Sequence, residues 1–457
     1  MPAQAFEAII IGAGQAGPAL AARLAWTGAR VAVIERKHMG GTCVNNGCMP
    51  TKTMVASAYA AWLARESGRF GVRTGAVSID MDTVRARKDE VVQNARSGVT
   101  RWMETTPGIT LIRGHARFIG PHEVEVDGET LTAERIFINT GARASIPPVP
   151  GIETVPVLTN ADVMDLTDVP GHLLIIGGSY IGLEFAQIFR RLGAEVTVLE
   201  QSRTLLPRED ADVSQGVTEI LEGEGIRLFA GATGLELEQE GSMTRARFSN
   251  GQGEPRSISG DRVLVATGRK PNTDDLGLEA AGVATDPRGF IVVDDHCRTS
   301  VAHIWALGEV NGRGAFTHTA YNDFEIVADN LLDGGARKIT DRHPCYALFI
   351  DPPLGRIGLT EAEARAAGRS VRVGKRQMAR VGKAVEGGET RGFMKVVIDV
   401  ETDALLGAAI LGYRGDEAVQ TLLTPLYAKT RTRDIRAVIG IHPTVAELIP
   451  FAMADAT

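Results

Sequence analysis

The chain has no uninterrupted apolar run approaching the ~18 residues a membrane span needs. It is also poor in aromatics (5%), carries four cysteines in 457 residues, and has no surplus of basic charge. Each shortage excludes something. Without a long apolar segment, no membrane partner is expected. A net charge of −7 argues against nucleic acid and against an anionic membrane surface. Four cysteines are too few for a disulfide-dense secreted scaffold and fit a reducing compartment, so a cytoplasmic location is expected. Ala8 to Leu24 is apolar and rich in small residues, but it has no basic leader, follows Glu7 and contains spaced glycines. It does not read as a signal peptide. Glycine is abundant, at 52 residues. This points to tight turns and phosphate-cradling loops in a chain with room for about three domains.

Two stretches use those glycines alike. Ala8-Ile9-Ile10-Ile11 reads as a buried parallel strand, Gly12-Ala13-Gly14-Gln15-Ala16-Gly17 follows, Pro18 to Trp26 reads as a helix, and a strand from Arg30 to Ile34 ends at Glu35. In that context Gly12 makes the tight turn and Gly14 lets backbone approach a pyrophosphate. Gly17 lets helix pack on strand, and Glu35 is placed to bond a ribose hydroxyl. The pattern recurs: a strand Leu173 to Ile176, the loop Gly177-Gly178-Ser179-Tyr180-Ile181-Gly182, a helix Leu183 to Leu192, and a strand Glu195 to Leu199 ending at Glu200. Ser179 replaces the middle glycine. Two such units imply two bound dinucleotides.

Between them lies Gly40-Gly41-Thr42-Cys43-Val44-Asn45-Asn46-Gly47-Cys48-Met49-Pro50-Thr51-Lys52, followed by a helix-like run from Thr53 to Glu66. Cysteines five apart cannot share a disulfide in a regular helix, so the pair closes only through an irregular first turn, which Gly47 permits and Pro50 helps to end. Thiols at a helix N-terminus are acidified. That favours a redox pair over a structural staple. Cys297 and Cys345 read as lone buried small hydrophobes.

Elsewhere, Asp80 to Met103 reads as a helix, and Thr110 to Ile138 as strands broken at Gly120-Pro121 and Asp127-Gly128. Pro147 to Gly151 reads as a linker, and Val263 to Gly268 as a strand echoing the earlier Thr140-Gly141 end. Ile304 to Glu309 reads as a strand ending in an acid, and Thr317 to Leu332 as a helix whose N-terminus can stabilise negative charge. From Tyr346 the pattern is α+β, with strands Phe393 to Ile398 and Ala404 to Leu411 and a capping box at Thr360–Glu363. Near the end, His442-Pro443-Thr444-Val445-Ala446-Glu447 has two readings. His442 is a general acid/base oriented by Glu447, or Thr444 and Glu447 form a capping box beside an ordinary histidine.

Assembled, these residues resemble the pyridine nucleotide–disulfide oxidoreductase family, from Ile10 to Glu447; the Gly-Gly-Thr-Cys…Gly-Cys-Met-Pro-Thr-Lys motif is its most specific mark. The resemblance implies an α/β fold: two Rossmann-like dinucleotide-binding domains (FAD and NAD) plus a C-terminal α+β dimerisation domain. Residues 1–150 would bind FAD and carry the cysteines, 151–270 would bind NAD(P)H, 271–340 would complete the FAD domain, and 341–457 would form a homodimer that sends His442 to the partner's cysteines. Cys43 would be the interchange thiol and Cys48 the flavin-side, charge-transfer thiolate. Lys52 would sit near the flavin and pair with Glu184, and Tyr180 would gate the nicotinamide pocket. FAD contacts would come from Gly12, Gly14, Gly17, Glu35, Gly41, Thr42, Lys52, Ala116, Thr140, Gly141, Gly308, Glu309 and Thr317; NAD contacts from Gly177, Ser179, Gly182, Glu200 and Gly268. Hydride would pass from nicotinamide to flavin, and two electrons onward through the disulfide to substrate. No resident metal site is expected.

Two departures stand out. Glu309 occupies a position where the family usually has Asp. The vicinal C-terminal cysteines and N-terminal metal-binding domain of mercuric reductases have no counterpart in this sequence, which weighs against efficient mercury handling. His442-Pro443-Thr444…Glu447 matches the thiol-substrate branch and favours the acid/base reading. Pro207-Arg208-Glu209-Asp210, Phe137–Gly141 and Asp351-Pro352-Pro353-Leu354 resemble the mercuric-reductase-like group that includes reactive-chlorine-resistance flavoproteins, linked to reduction of Cu(II) or Hg(II). The expected activity is NAD(P)H-driven reduction of a metal ion or small oxidised substrate. NADH is favoured over NADPH because Glu200 would repel a 2′-phosphate, which Arg203 offsets in part. Dihydrolipoamide dehydrogenase is the alternative enzyme, and a non-catalytic redox-sensing flavoprotein the alternative from another class.

Overall fold

The structure is a computed structural model that describes residues 3–457. It divides into two compact units, each built from three segments: residues 1–53, 83–145 and 268–342, and residues 54–82, 146–267 and 343–457.

In the first unit, the strands Gln4–Ile11 and Val31–Glu35 are continuously buried from Ala8 to Ile11 and from Val31 to Ile34, because stretches covered on both faces read as continuous apolar runs. They pair in parallel, with Ile109–Arg113 beyond Val31–Glu35 and Glu129–Ile138 on the other side of Gln4–Ile11. Ile304–Ala306 adds in parallel to Glu129–Ile138, so a late segment completes an early sheet. The helices Gly17–Ala25 and Thr317–Leu332 belong to the core on one face, where Ile10, Leu20, Val33, Phe137 and Ile326 are fully buried.

The first sheet continues antiparallel from Glu129–Ile138 through Glu123–Val126 to Ala116–Gly120, and the second unit likewise combines parallel and antiparallel strands. Its parallel sheet runs Arg227–Ala230, Glu195–Glu200, His172–Ile176, Arg262–Val265 and Val157–Leu158. A three-stranded antiparallel sheet spans Thr233–Glu240, Met243–Ser249 and Pro255–Gly260. The C-terminal five-stranded sheet is wholly antiparallel and covered by short helices. These elements make the α/β fold with two Rossmann-like domains and a C-terminal α+β domain. Among the described residues no helix is long and apolar enough to cross a membrane.

Several local expectations need correcting. The helix after the cysteines starts at Cys48, not Thr53, because Pro50 lacks an N–H only where the first turn leaves N–H groups unbonded anyway. The second nucleotide helix likewise starts at Tyr180, not Leu183. The strand expected through Glu309 ends at Ala306, and Glu309 lies in a 3-10 turn, Gly308–Asn311, opened by Gly308 at φ 75°. Cys297 is buried as expected, but Cys345 is only half-buried, since it opens the outermost strand of the C-terminal sheet.

Candidate active site

The first glycine loop is tight because the end of a neighbouring strand presses on it. A Cβ on Gly12 (φ 98°) would lie 2.5 Å from Asn139 O, one on Gly14 2.9 Å from Asn139 Oδ1, and one on Gly17 2.4 Å from Gly12 O. Asn139, which sequence reasoning did not single out, accepts from Gly17 N at 3.0 Å and donates to Leu307 O at 2.8 Å. Glu35 accepts from Ala13 N (2.9 Å) and Lys37 N (2.8 Å), so its carboxylate steadies the loop from the strand end. A Cβ on Gly41 would sit 2.7 Å from Gly14 Cα, so the cysteine segment starts in contact with this loop.

Cys43 lies in a short helix, Gly41–Asn45, and Cys48 opens the next, Cys48–Glu66. The irregularity the pair requires falls at Asn46-Gly47, where a Cβ on Gly47 would meet Thr42 O at 2.8 Å. No disulfide joins the two cysteines in this structure. Cys48 Sγ lies 3.2 Å from Thr317 Oγ1, at the first residue of the sixteen-residue Thr317–Leu332 helix. The Cys43 thiol is pushed well above its ordinary pKa, first by its hydrogen bond with Cys48 and then by burial. Lys52 sits one turn further along the helix.

Thr140, Gly141 and Gly308 sit with Asn139 at the ends of their strands. Thr140 exchanges two bonds with Asn272, at 2.9 and 2.8 Å. Buried Asp323 accepts from Gly308 N at 2.8 Å and Asn311 Nδ2 at 2.9 Å, fixing the turn that carries Glu309. Glu309 pairs with Arg269 at 2.6 Å, and Arg269 also reaches Thr42 Oγ1 at 3.4 Å. Burial raises the Glu309 pKa and Arg269 opposes it. Ala116 is buried in a strand at the sheet edge.

The second loop repeats the first. A Cβ on Gly177 (φ 114°) would be 2.5 Å from Ala266 O, and one on Gly182 2.0 Å from Gly177 O. Glu200 accepts from Gly178 N and Ser202 N, both at 2.6 Å. Ser179 is extended (φ −110°), and Arg203 is exposed. Gly268 (φ 138°) lies where the chain re-enters the first unit. Tyr180 donates to Glu209 at 2.9 Å, and buried Glu184 accepts from Phe349 N at 3.0 Å. His442 Nδ1 is 3.0 Å from Glu447, and Thr444 and Glu447 also exchange backbone-to-side-chain bonds at 3.3 and 3.2 Å. The Thr444–Glu447 box expected from the sequence is present, and the same Glu447 carboxylate contacts the His442 ring.

Glycine cradles that leave no room for a Cβ, each followed by a helix and a terminal acid, fit dinucleotides. With a dithiol on the first of them, fold and site define a flavin- and nicotinamide-dependent disulfide oxidoreductase. The comparisons agree. Residues 6–323 match the model of the pyridine nucleotide-disulphide oxidoreductases, and residues 345–453 that of their dimerisation domain. The chain belongs to that family and is an enzyme. It is 37% identical to the probable pyridine nucleotide-disulfide oxidoreductase RclA of Escherichia coli over 97% of each chain. It is 33% identical to a mercuric reductase of Bacillus cereus (98% of this chain, 71% of that one). It is 35% identical to a dihydrolipoyl dehydrogenase of Thermus scotoductus (97% and 95%). The solved Cu(II) complex of the HOCl-induced flavoprotein disulfide reductase RclA superimposes with a TM-score of 0.90 at 35% identity, over 99% of both chains. The family depends on FAD and a pyridine nucleotide, and the dimerisation domain supports a homodimer.

Proposed function

We propose that this enzyme uses NADH to reduce a metal ion, Cu(II) or Hg(II), or a small oxidised substrate through the Cys43–Cys48 pair. Bound FAD supplies the two-electron relay between nicotinamide and disulfide. The observation that carries the reading is the dithiol itself: Cys48 beside Thr317 Oγ1 at a helix N-terminus, with Cys43 hydrogen-bonded to it. A hydroxyl and the helix end both stabilise a Cys48 thiolate. Cys43 then attacks or ligates substrate once its proton is removed, and the Cys43 and Cys48 thiolates re-form the disulfide, releasing two electrons to one Hg(II) ion or one disulfide substrate, or to two Cu(II) ions. In this reading a metal ion is a substrate met at the thiols. The relatives named as mercuric reductase and as a Cu(II) complex support that acceptor class.

Residues 1–150 with 271–340 form the FAD domain in this reading, 151–270 the NAD domain, and 341–457 the dimerisation domain. Gly12, Gly14, Gly17, Glu35, Gly41, Thr42, Lys52, Ala116, Thr140, Gly141, Gly308, Glu309 and Thr317 hold FAD; Gly177, Ser179, Gly182, Glu200 and Gly268 hold the nicotinamide nucleotide. Lys52 and Glu184 act as a pair at the flavin. Glu200, steadied by two amides, disfavours a 2′-phosphate, so NADH is the donor. The enzyme works in the cytoplasm.

A second reading, dihydrolipoamide dehydrogenase, rests on the His442–Glu447 contact. With Glu447 on Nδ1, the proton sits there and Nε2 is left as the base, on a side chain 80% exposed and suited to serve a partner's thiols. Anaerobic NADH oxidation by the FAD-loaded enzyme with Cu(II), Hg(II), lipoamide and glutathione disulfide separates the two. Turnover with a metal ion, lost in Cys43→Ser while NADH still bleaches the flavin, is expected. Fast lipoamide turnover that falls by ~10²–10⁴ in His442→Ala would select the second reading.

A further inference from the structure

The Pro207–Asp210 stretch resembles relatives, yet the site described so far leaves Glu209 unused. Its side chain is 0% exposed, and Tyr180 and Tyr346 both donate to its Oε1, at 2.9 and 2.7 Å. Arg356, 3% exposed, stands 3.3 Å from Oε2, which has no hydrogen bond of its own. The two phenol rings meet edge to face at 5.4 Å. Burial and the Glu209 charge keep the Tyr180 phenol protonated, so it is a donor.

The backbone under Glu209 is fixed on both sides. Leu206 N donates to Gly178 O at 3.1 Å, and Leu205 packs where a Cβ on Gly178 would fall. Asp210 accepts from Glu361 N (2.9 Å) and Ala362 N (3.0 Å) and pairs with buried Lys395 at 3.0 Å. Glu209 therefore cannot follow Tyr180 if the ring moves. The ring has to leave the carboxylate.

We propose that Glu209 is a positioning residue of the nicotinamide site, a fixed acceptor shared by Tyr180 and Tyr346 that latches Tyr180 in place. The proposal rests on the reading of Tyr180 as the ring that gates the nicotinamide. Swinging Tyr180 aside gives up one charge-assisted hydrogen bond, and Tyr346 and Arg356 stay behind to hold the buried charge. The latch therefore biases the gate without locking it. Sharing one oxygen makes the two phenols opposed. Without the Tyr346 hydroxyl, opening Tyr180 would leave Oε1 with neither phenol, so the latch tightens.

The test is the dissociation constant of NADH from the FAD-loaded enzyme, taken anaerobically from the concentration dependence of flavin bleaching. Tyr180→Phe, which removes only the latch hydrogen, is expected to lower it about tenfold. Tyr346→Phe is expected to raise it several-fold, and Glu209→Gln, a weaker acceptor of the same size, to shift it the way Tyr180→Phe does. General loosening would move both phenol variants in one direction, and that result would overturn the proposal. So would wild-type constants in both while Tyr180→Ala changes binding. If Tyr180→Ala also binds NADH as wild type does, the gate reading itself falls and takes the latch with it.

Discussion

The two dinucleotide folds of this chain share a backbone plan and differ in what seals it. In both, the strand-end acid bonds the amide of the loop's second residue and the amide two residues beyond itself. In both, the first glycine packs on the carbonyl of a neighbouring strand end, Asn139 in one and Ala266 in the other. That single difference explains the third loop position. The Asn139 side chain fills the space beside Gly14, where a Cβ would be 2.9 Å from its Oδ1, so only glycine fits. Ala266 carries only a methyl in place of that amide, and the third position of the second loop is Ser179. The first loop is thus bolted from Gly17 to Leu307 by a buried amide, as suits a resident cofactor. The second has the side chains of Leu205 and Glu200 against its second residue, where a Cβ on Gly178 would lie 2.6 and 2.8 Å from them.

The largest effect should come from the glycines both loops need. Gly12→Ala is expected to yield protein without flavin, whereas Gly182→Ala, whose Cβ would meet Gly177 O at 2.0 Å, should keep its flavin but resist bleaching by NADH. Flavin-to-protein absorbance and an anaerobic NADH titration check both; flavin loss from Gly182→Ala would break the division of labour. The third position gives a sharper test. Gly14→Ser should cost about 2 kcal/mol in denaturant unfolding. Asn139→Ala should cost about 3 kcal/mol, because it strands two buried backbone groups. In the double variant the serine should add almost nothing, and additive losses would deny that Asn139 dictates Gly14. The smallest effect concerns the acids: Glu200→Ala should cut the NADH-over-NADPH ratio of kcat/KM about tenfold, equivalent to about 1.4 kcal/mol. Glu35→Ala should leave that ratio alone.

Much of this was legible beforehand because it is local. Glycines at positive φ, a strand that stays apolar on both faces and an acid at its end are set by residues within one βαβ stretch, so spacing reveals them. The cysteine pair was legible for the same reason, as was the need for a break between the two. Where the helices begin was not, because a helix start depends on which first-turn N–H groups find partners, and Pro50 needs none. Cys345 looked like a core residue by type, but exposure depends on whether its strand lies at an edge.

By itself, then, the sequence determined two nucleotide folds, a redox dithiol and the His442–Glu447 pairing, all carried by residues at most a few dozen positions apart. Only the tertiary structure decided what holds them. Asn139 reaches Leu307, Asp323 holds the turn of Glu309, Arg269 meets Glu309, and Glu209 gathers Tyr180, Tyr346 and Arg356. Those partners are separated by stretches with no periodicity to link them. A buried polar group accepts whatever donor the packed fold brings within reach, and sequence spacing carries no record of that choice.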